Sequence, residues 1–309
     1  MGVLLLSHPQ PPEPIVQRIN ALDPDLEIAT DLEEADPERI ECVVAYRLMP
    51  GVLSRFPKLR LLCAASSGVE KLLAAPDLPP ELPVVRVTDP LQAAQIGQYV
   101  CGHAIGHVRQ FASYVEQQRN AQWLRHAPAP YGSAFATVLG LGHTGATIAR
   151  MLGSVGFQVR GWSRSGRPVE GVEVLPGRSA LAAALAQTDV LVCTLPTTAQ
   201  TGNLIDAELL AQLPAKSMLI NVGRGEVIDD AALAQALEAG RLAAAVLDVH
   251  RQEPLPSDAP QWRTRGLQVM PHVASQPSSE AVARTVVEAM RRLRHGEPHP
   301  NLVERALGY

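Results

Sequence analysis

This sequence contains few cysteines, no large excess of either charge and no long apolar run. Its 309 residues include four cysteines, none in a CxxC pair, and the apolar runs around Cys42, Cys63 and Cys193 predict buried thiols in a reducing, cytoplasmic compartment. The 27 basic and 31 acidic residues leave a net charge of −4, whereas nucleic-acid-binding domains are usually strongly basic. No apolar run approaches the ~18 residues of a membrane span. We therefore expect no nucleic-acid or membrane partner, and we expect no metal.

Glycine and proline are also too infrequent for a fibrous or disordered chain. The 23 glycines and 26 prolines make up about 16% of the residues, below the ~25–30% that signals disorder. At roughly 150 residues per domain, the length predicts two domains. The first residues, MGVLLLSHPQ, have no basic stretch and an apolar run of only VLLL, so we expect a strand there rather than a signal peptide.

Short apolar runs alternate with helical patterns from end to end, which predicts a doubly wound α/β fold. Many runs are nearly continuous, as in parallel strands that are covered on both faces. Apolar residues at three-or-four spacing predict one long helix from about Leu91 to Trp123 and a final helix from about Ser278 to His295. The candidate strands are Val3–Leu6, Cys42–Tyr46, Arg60–Ala65, Val84–Val87, Ala136–Leu139, Phe157–Trp162, Val190–Leu195, Met218–Val222, Ala244–Val249 and Leu267–Met270.

A glycine-rich turn connects the strand ATVL to a helical pattern. GLGHTG places Gly140, Gly142 and Gly145 in the GxGxxG spacing. In a dinucleotide site the first glycine makes the tight turn, the second lets the backbone approach a pyrophosphate, and the third lets helix and strand pack closely. The helix N-terminus then presents N–H groups to the phosphates. The alternative is a bare structural turn, but the flanking strand and helix favour dinucleotide binding.

The end of the next strand bears on the choice of cofactor. An acidic residue there would accept the ribose hydroxyls of NAD, but the sequence WSRSGR offers Ser163, Arg164 and Arg167 and no carboxylate. An arginine and a hydroxyl can bind a 2′-phosphate, which predicts a preference for NADP(H) over NAD(H). The alternative is that these arginines belong to a solvated loop.

Polar residues follow three later strands, where an open α/β sheet binds its ligands. Arg224 follows the strand MLINV, and His272 follows LQVM. Asp248 lies at the end of the strand AAVLDV, with Glu253 in the loop after it. Each residue alone could simply face solvent. Together, at the carboxyl ends of strands in one sheet, they predict a catalytic site.

These motifs resemble those of one enzyme family. NVGRG, LDVxxxEPLP and PHVA, following GLGHTG at these spacings, are similar to the D-isomer-specific 2-hydroxyacid dehydrogenases. The closer resemblance is to their glyoxylate/hydroxypyruvate reductase branch, through GWSRS, EPLP, Trp262 ahead of PHVA, and a C-terminal RALGY. The resemblance covers nearly the whole chain.

The resemblance implies a role for each matching position. Arg224 would bind the substrate carboxylate and carbonyl oxygen, His272 would be the acid/base, and Glu253 would pair with it. Asp248 would face the nicotinamide carboxamide. The implied substrate-binding residues are Gly68 and Val69, through their backbone N–H groups, with Tyr46 and Arg47. The implied cofactor-binding residues are Gly140, Gly142, His143, Thr144, Gly145, Ser163, Arg164, Leu195, Pro196, Thr197, Thr201, Val222, Gly223 and Asp248.

The resemblance also implies a fold and a reaction. We expect a Rossmann-like domain at residues 99–281, a smaller flavodoxin-like α/β substrate domain at 1–98 and 282–309, and a ligand cleft between them. The expected reaction is NADPH-dependent reduction of a small 2-oxo acid of the glyoxylate/hydroxypyruvate class to the 2-hydroxy acid, the D isomer where the product is chiral. Hydride would come from NADPH, and an imidazolium at His272 would give the proton. A homodimer formed through the long helix is expected.

Two positions depart from the family pattern. Glu70 stands where the family usually has Asp, and His250 stands where it often has an aromatic residue, so two histidines lie near the predicted site. Of the two histidines, His272 rather than His250 is the expected base. The family's specificity varies in the stretch that contains Tyr46 and Arg47, so substrate choice stays open.

The alternative function is an NADP-sensing protein-interaction module of the co-repressor type, without physiological turnover. The complete set of Arg224, Glu253 and His272 favours the enzyme.

Overall fold

The computed structural model describes residues 2–6, 11–127, 129–164, 166–175 and 177–305. The chain folds into two compact units, one of residues up to Gln92 together with those from Gln276 onward, and one from Ala93 to Ser275. The units therefore divide at 92/93 and 275/276. The boundaries expected from the sequence, 98/99 and 281/282, lie a few residues after these positions. The last four residues of the RALGY motif lie outside the described residues.

The first unit contains a parallel sheet of five strands in the order β2-β1-β3-β4-β5, which is the flavodoxin-like order. Its strands are β1 (Gly2–Leu6), β2 (Glu27–Ala29), β3 (Ile40–Ala45), β4 (Leu61–Ala64) and β5 (Val84–Val85), and its helices are α1 (Glu13–Leu22), α2 (Glu70–Leu73) and α9 (Ser279–His295). Successive residues of β1 face opposite sides: Val3 and Leu5 pack with α1 and α9, whereas Leu4 packs with Phe56 and the residues around α2. This explains why the strand is apolar throughout.

Helix α9 shows how the sequence sets its own ends. The Ser278 side chain accepts a hydrogen bond from the Ala281 N–H at the N-terminus, and Gly296 ends the helix in the left-handed conformation with φ 67°. Its buried face is the apolar stripe of Val282, Val286 and Met290. The final helix predicted from the sequence is therefore present, and it belongs to the first unit.

The second unit contains a parallel sheet of seven strands in the order β12-β11-β10-β9-β6-β7-β8. Read from the other edge, this is the Rossmann order 3-2-1-4-5-6 with one further strand. The strands are β6 (Phe135–Leu139), β7 (Gln158–Trp162), β8 (Glu173–Leu175), β9 (Val190–Cys193), β10 (Met218–Asn221), β11 (Ala244–Leu247) and β12 (Leu267–Val269). The helices are α3 (Pro90–Val108), which starts in the first unit, α4 (Phe111–Arg119), α5 (His143–Ser154), α6 (Gly177–Leu185), α7 (Ala207–Leu210) and α8 (Asp230–Glu238). The expected doubly wound fold is confirmed.

The long helix expected from Leu91 to Trp123 is wrong as a single element. It breaks at Gln110, whose φ of 58° and ψ of 35° are left-handed, and α4 ends at Arg119. The apolar spacing continues through the break at Phe111 and Val115, but these side chains are 55% and 50% exposed, so they do not extend the buried face of α3. Among the described residues, no helix combines the length and apolar character needed to cross a membrane.

Two edge strands were not expected from the sequence. β2 and β8 each have three residues. Each lies at one edge of its sheet and is therefore partly exposed to solvent. Short, partly exposed edge strands carry no continuous apolar run, so the pattern that found the inner strands could not find these two.

Candidate active site

In the second unit, the loops that carry predicted site residues all lie on the same side of the sheet, at the carboxyl ends of its strands. They follow the carboxyl ends of β6, β7, β9, β10, β11 and β12, all parallel. The order of strands reverses between β6 and β9, and ligands of open α/β sheets bind at such a switch point. The glycine-rich turn after β6 and the Leu195–Thr201 segment after β9 flank that point.

The glycine-rich turn has the geometry that its spacing predicts. Gly140 has a φ of 97°, which favours glycine, and a Cβ at Gly145 would overlap the Gly140 carbonyl oxygen. A Cβ at Gly142 would meet nothing within 4 Å, and this residue is the N-cap of α5 without a side-chain cap. His143 and Thr144 follow in the first turn of α5. The turn thus leaves open space beside a helix N-terminus, as a pyrophosphate site requires.

At the end of β7, Ser163 and Arg164 follow Trp162 directly. The Ser163 hydroxyl oxygen is buried and has no hydrogen-bond partner among the described residues, and Arg164 is exposed. A buried hydroxyl without a partner is costly unless a ligand satisfies it. This pair is therefore a suitable place for an anionic group.

The segment after β9 is held by its own threonines. The Thr201 hydroxyl donates to the Pro196 carbonyl oxygen at 2.6 Å and accepts from the Thr198 N–H at 2.8 Å. The Thr197 hydroxyl donates to a Glu226 carboxylate oxygen at 3.0 Å. These contacts fix the shape of the loop; contact of Thr197 and Thr201 with a cofactor stays a prediction.

Arg224 is placed by the glycines on either side of it. A Cβ at Gly223 would lie 2.5 Å from the Leu195 carbonyl oxygen, and one at Gly225 would overlap the backbone of His250. Both glycines therefore let the turn pass between two other backbone segments. The guanidinium donates to the Gly223 carbonyl oxygen at 2.7 Å, and the side chain is half-buried.

The fully buried Asn221 fastens the same turn from inside. Its side-chain N–H donates to the Arg224 carbonyl oxygen at 2.9 Å, and its side-chain oxygen accepts from the Gly223 N–H at 3.0 Å. Val222 donates its N–H to the Cys193 carbonyl oxygen at 3.0 Å. The turn that carries the arginine is thus a preorganised part of the sheet edge.

His272 and Glu253 meet as the sequence predicts. The Nδ1 atom of His272 lies 3.1 Å from a Glu253 carboxylate oxygen, with side chains 35% and 24% exposed. Because a carboxylate accepts, Nδ1 donates, and Nε2 is the ring nitrogen left to exchange a proton with a substrate. The other Glu253 oxygen accepts the His250 N–H at 3.0 Å.

Asp248 has a contact that the sequence did not predict. It is 1% exposed, and its carboxylate accepts the Val273 N–H at 2.9 Å and the Ala274 N–H at 3.0 Å. Both amides directly follow His272, so Asp248 secures the loop that carries this histidine. Contact of Asp248 with a nicotinamide carboxamide stays a prediction.

A polar face of α3 packs near Asp248 and was also missed. Tyr99 and His103 stack edge to face with ring centroids 4.6 Å apart, and Gln95 lies within hydrogen-bond distance of Ser275. Burial and the nearby Asp248 carboxylate raise the pKa of Tyr99, whereas burial lowers the pKa of His103. Polar residues at 95, 99 and 103 recur every four positions, and this spacing could have indicated a polar helix face.

The predicted substrate residues of the first unit follow neighbouring strands. Tyr46 and Arg47 come after β3, and Gly68 and Val69 come after β4. The Val69 side chain is 1% exposed and belongs to the core, so only its backbone could bind a substrate. The Lys71 ammonium lies 5.2 Å from the centre of the Tyr46 ring, so it places a positive charge beside that residue.

Metal-binding side chains are not grouped in the described part of the chain, where no cluster of three or more His, Cys, Asp or Glu could hold an ion.

Comparisons with known proteins agree on one family. The family model for the D-isomer specific 2-hydroxyacid dehydrogenase, NAD binding domain, matches residues 101–274. The chain is 35% identical over 258 residues to glyoxylate/hydroxypyruvate reductase A of Salmonella heidelberg (strain SL476), covering 82% of each.

Solved structures are similar along the whole chain. A D-isomer specific 2-hydroxyacid dehydrogenase from Xanthobacter autotrophicus Py2, in complex with NADPH and MES, is 36% identical with a TM-score of 0.94, covering 100% of this chain and 99% of that one. An NADPH-dependent glyoxylate/hydroxypyruvate reductase from Sinorhizobium meliloti, in complex with NADP and sulfate, is 31% identical with a TM-score of 0.90, again covering 100% and 99%.

Proposed function

Because the chain belongs to the D-isomer-specific 2-hydroxyacid dehydrogenase family, we propose that it is an NADPH-dependent reductase of small 2-oxo acids of the glyoxylate/hydroxypyruvate class. The product is the 2-hydroxy acid, in the D form where it is chiral. The observation that carries the proposal is the hydrogen-bonded His272–Glu253 pair, which shares with Arg224 the carboxyl edge of three neighbouring strands. A protein-interaction module that only senses NADP would not need this set.

The three side chains divide the chemistry of carbonyl reduction. Arg224 is permanently charged and can bind the substrate carboxylate and carbonyl oxygen with its planar fork of N–H groups. The imidazolium of His272 gives its Nε2 proton to the oxygen that becomes the alcohol, while Glu253 keeps Nδ1 protonated and the ring in place. When NADPH is bound, it supplies the hydride for the carbonyl carbon.

A panel of 2-oxo acids tests the reaction. We expect NADPH oxidation, followed by its absorbance, with glyoxylate and hydroxypyruvate, and weak or no oxidation with bulky 2-oxo acids. Chiral analysis of the hydroxypyruvate product should give the D isomer. Tight NADPH binding without turnover of any member of the panel would contradict the proposal and favour the sensing module.

The end of β7 supports a preference for NADP over NAD. The open backbone at Gly142 and the N-terminus of α5, which has no side-chain cap, suit the pyrophosphate of either cofactor. The buried Ser163 hydroxyl has no hydrogen-bond partner among the described residues, and with the Arg164 charge at the end of β7 it suits the additional 2′-phosphate of NADP. We expect Ser163 and Arg164 to hold the 2′-phosphate, because a charged hydrogen bond is worth about 1.5–3 kcal/mol. That energy corresponds to roughly ten- to a hundredfold preference for NADPH.

Substitution of Arg164 tests this preference. Arg164→Ala should remove most of the NADPH preference and leave NADH affinity nearly unchanged, since NADH has no phosphate to lose. Arg150→Ala, which removes an exposed arginine of α5, is the matched control. Dissociation constants of both cofactors, measured at fixed ionic strength because salt screens exposed charges, give the result. A strong NADPH preference in the Arg164 variant would place the phosphate elsewhere.

The proposal includes a homodimer and a cytoplasmic location. Exposed apolar side chains cluster in sequence on α4 and after it: Phe111, Val115, Trp123 and Leu124. A second copy of the chain could cover them, so light scattering should give twice the 33.1 kDa chain mass, and Val115→Glu should lower this measured mass.

The cytoplasmic location is supported by two thiols. Cys42 and Cys63 are free and lie 3.8 Å apart, which suits a reducing compartment.

A further inference from the structure

The backbone around His272 needs support, because His272 has a φ of 57°. A residue other than glycine adopts this left-handed conformation only when its surroundings hold it there. The loop after β12 has no regular structure between Met270 and Ser278. The Met270 N–H donates to the Leu247 carbonyl oxygen at 2.9 Å, and side chains add further support. Asp248 supplies it after the histidine, through the Val273 and Ala274 amides.

His250 supports the backbone on the other side, in the segment before His272. Its Nε2 atom lies 3.0 Å from the Met270 carbonyl oxygen, two residues ahead of His272. A carbonyl oxygen only accepts, so Nε2 carries a proton and donates. This engagement also argues against His250 as the group that protonates the substrate, since the nitrogen it would use is bound to the backbone.

The same residue also reaches the carboxylate of the pair. The His250 N–H donates to one Glu253 oxygen at 3.0 Å, and the other Glu253 oxygen binds Nδ1 of His272 at 3.1 Å. One residue therefore contacts both the backbone that leads to His272 and the carboxylate that orients its ring. A phenylalanine could fill a similar space but could not donate to Met270.

We propose that His250 is a positioning residue, whose Nε2–H holds the segment before His272 so that the His272–Glu253 pair keeps its geometry. The role rests on the proposed function, in which His272 transfers the proton. It concerns orientation alone, and His250 takes no part in the proton transfer. A small displacement of a catalytic group costs up to about a hundredfold in rate, so loss of the hydrogen bond should be visible in kcat.

The test compares His250→Phe, which keeps a ring without a donor, with His250→Gln, which keeps an N–H at similar reach. His250→Phe should lower kcat for glyoxylate by about 10- to 100-fold, alter the pH profile of kcat, and leave the NADPH dissociation constant within about twofold. His250→Gln should recover most of the loss. The matched control is His107→Phe, which removes a similar ring contact, 2.8 Å to the Lys216 carbonyl oxygen, away from the site, and it should leave kcat unchanged.

Amide hydrogen exchange gives a readout that needs no turnover. In His250→Phe the Val273 and Ala274 amides should exchange faster than in the wild type and in His250→Gln. Unchanged kcat and exchange in His250→Phe would overturn the proposal, as would equal loss of kcat in both variants at unchanged thermal stability. A wild type that reduces no 2-oxo acid would overturn the proposed function, while the exchange comparison would still test the role of His250.

Discussion

At the scale of single residues, the His272–Glu253 pair has a division of labour that substitution can separate. In the proposed mechanism His272 holds the transferable proton on Nε2, whereas Glu253 keeps Nδ1 protonated and orients the ring. We predict that His272→Gln lowers kcat by about 10²–10⁴ with NADPH binding intact, and that Glu253→Gln costs less. Steady-state kinetics gives kcat of both variants, and a cofactor titration gives their NADPH affinity. Near-normal turnover in His272→Gln would show that His272 is not the proton donor.

Arg224 offers a second prediction at this scale, because its guanidinium makes its own contact to the Gly223 carbonyl oxygen. Lysine keeps the charge but loses the planar fork. Arg224→Lys should therefore raise KM for glyoxylate and lower kcat together. Arg241→Lys, on an exposed arginine of the same unit, is the control. A change in thermal stability alone would make Arg224 a structural residue.

The sequence could identify the residues of the candidate site, since proton transfer and carboxylate binding need particular side chains at the ends of strands. It could not predict the contacts of Asp248, His250 and Tyr99. These depend on which backbone groups of the β12 loop come close to the β11 loop, and that is decided by tertiary packing. The motif identified Asp248, but only the fold shows that its carboxylate binds two backbone amides.

At the scale of elements, helix α5 contains two glycines with opposite requirements. A Cβ at Gly145 would overlap the Gly140 carbonyl oxygen and lie 2.8 Å from the Thr194 hydroxyl oxygen. At Gly153, on the exposed side, a Cβ would meet only Val159 at 3.9 Å.

Alanine at each position should therefore change stability in opposite directions. We predict that Gly145→Ala destabilises the protein by about 1–3 kcal/mol and weakens NADPH binding, because α5 or the turn must move. Gly153→Ala should stabilise it by about 0.5–1 kcal/mol, since alanine has the higher helix propensity. Urea unfolding of both variants is the measurement, and equal effects would mean that α5 does not pack closely on the turn.

Elements were predictable where burial imposed a continuous pattern. The inner strands of both sheets coincide with predicted strands, and all except β7, which contains Gln158 and Arg160, are nearly continuous apolar runs because parallel strands are covered on both faces. The break at Gln110 was not predictable from such a pattern, since no glycine or proline marks it and the apolar spacing runs on through Phe111 and Val115. The sequence does not reveal where α3 ends, so it could not show that Phe111 and Val115 lie beyond its buried face.

At the scale of the whole molecule, three histidines make stability depend on pH. Burial, the largest cause at each, lowers the pKa of His103, His107 and His299. The unfolded chain, with ordinary imidazoles of pKa ~6.5, therefore binds protons at a pH where the folded protein does not. More protons on the unfolded state mean that stability falls as pH falls.

The free energy of unfolding should accordingly be flat between about pH 8 and about pH 7 and should decline below ~6.5. Carboxylates whose pKa is lowered, such as Asp89, which accepts hydrogen bonds from Ser278 and the Leu91 and Gln92 amides, add their loss only at still lower pH. His107→Gln keeps an N–H for the Lys216 carbonyl oxygen but cannot titrate, so it should reduce the decline, whereas His295→Gln at the exposed end of α9 is the control. Urea unfolding at each pH gives the slopes, and an undiminished decline in His107→Gln would mean that other groups cause it.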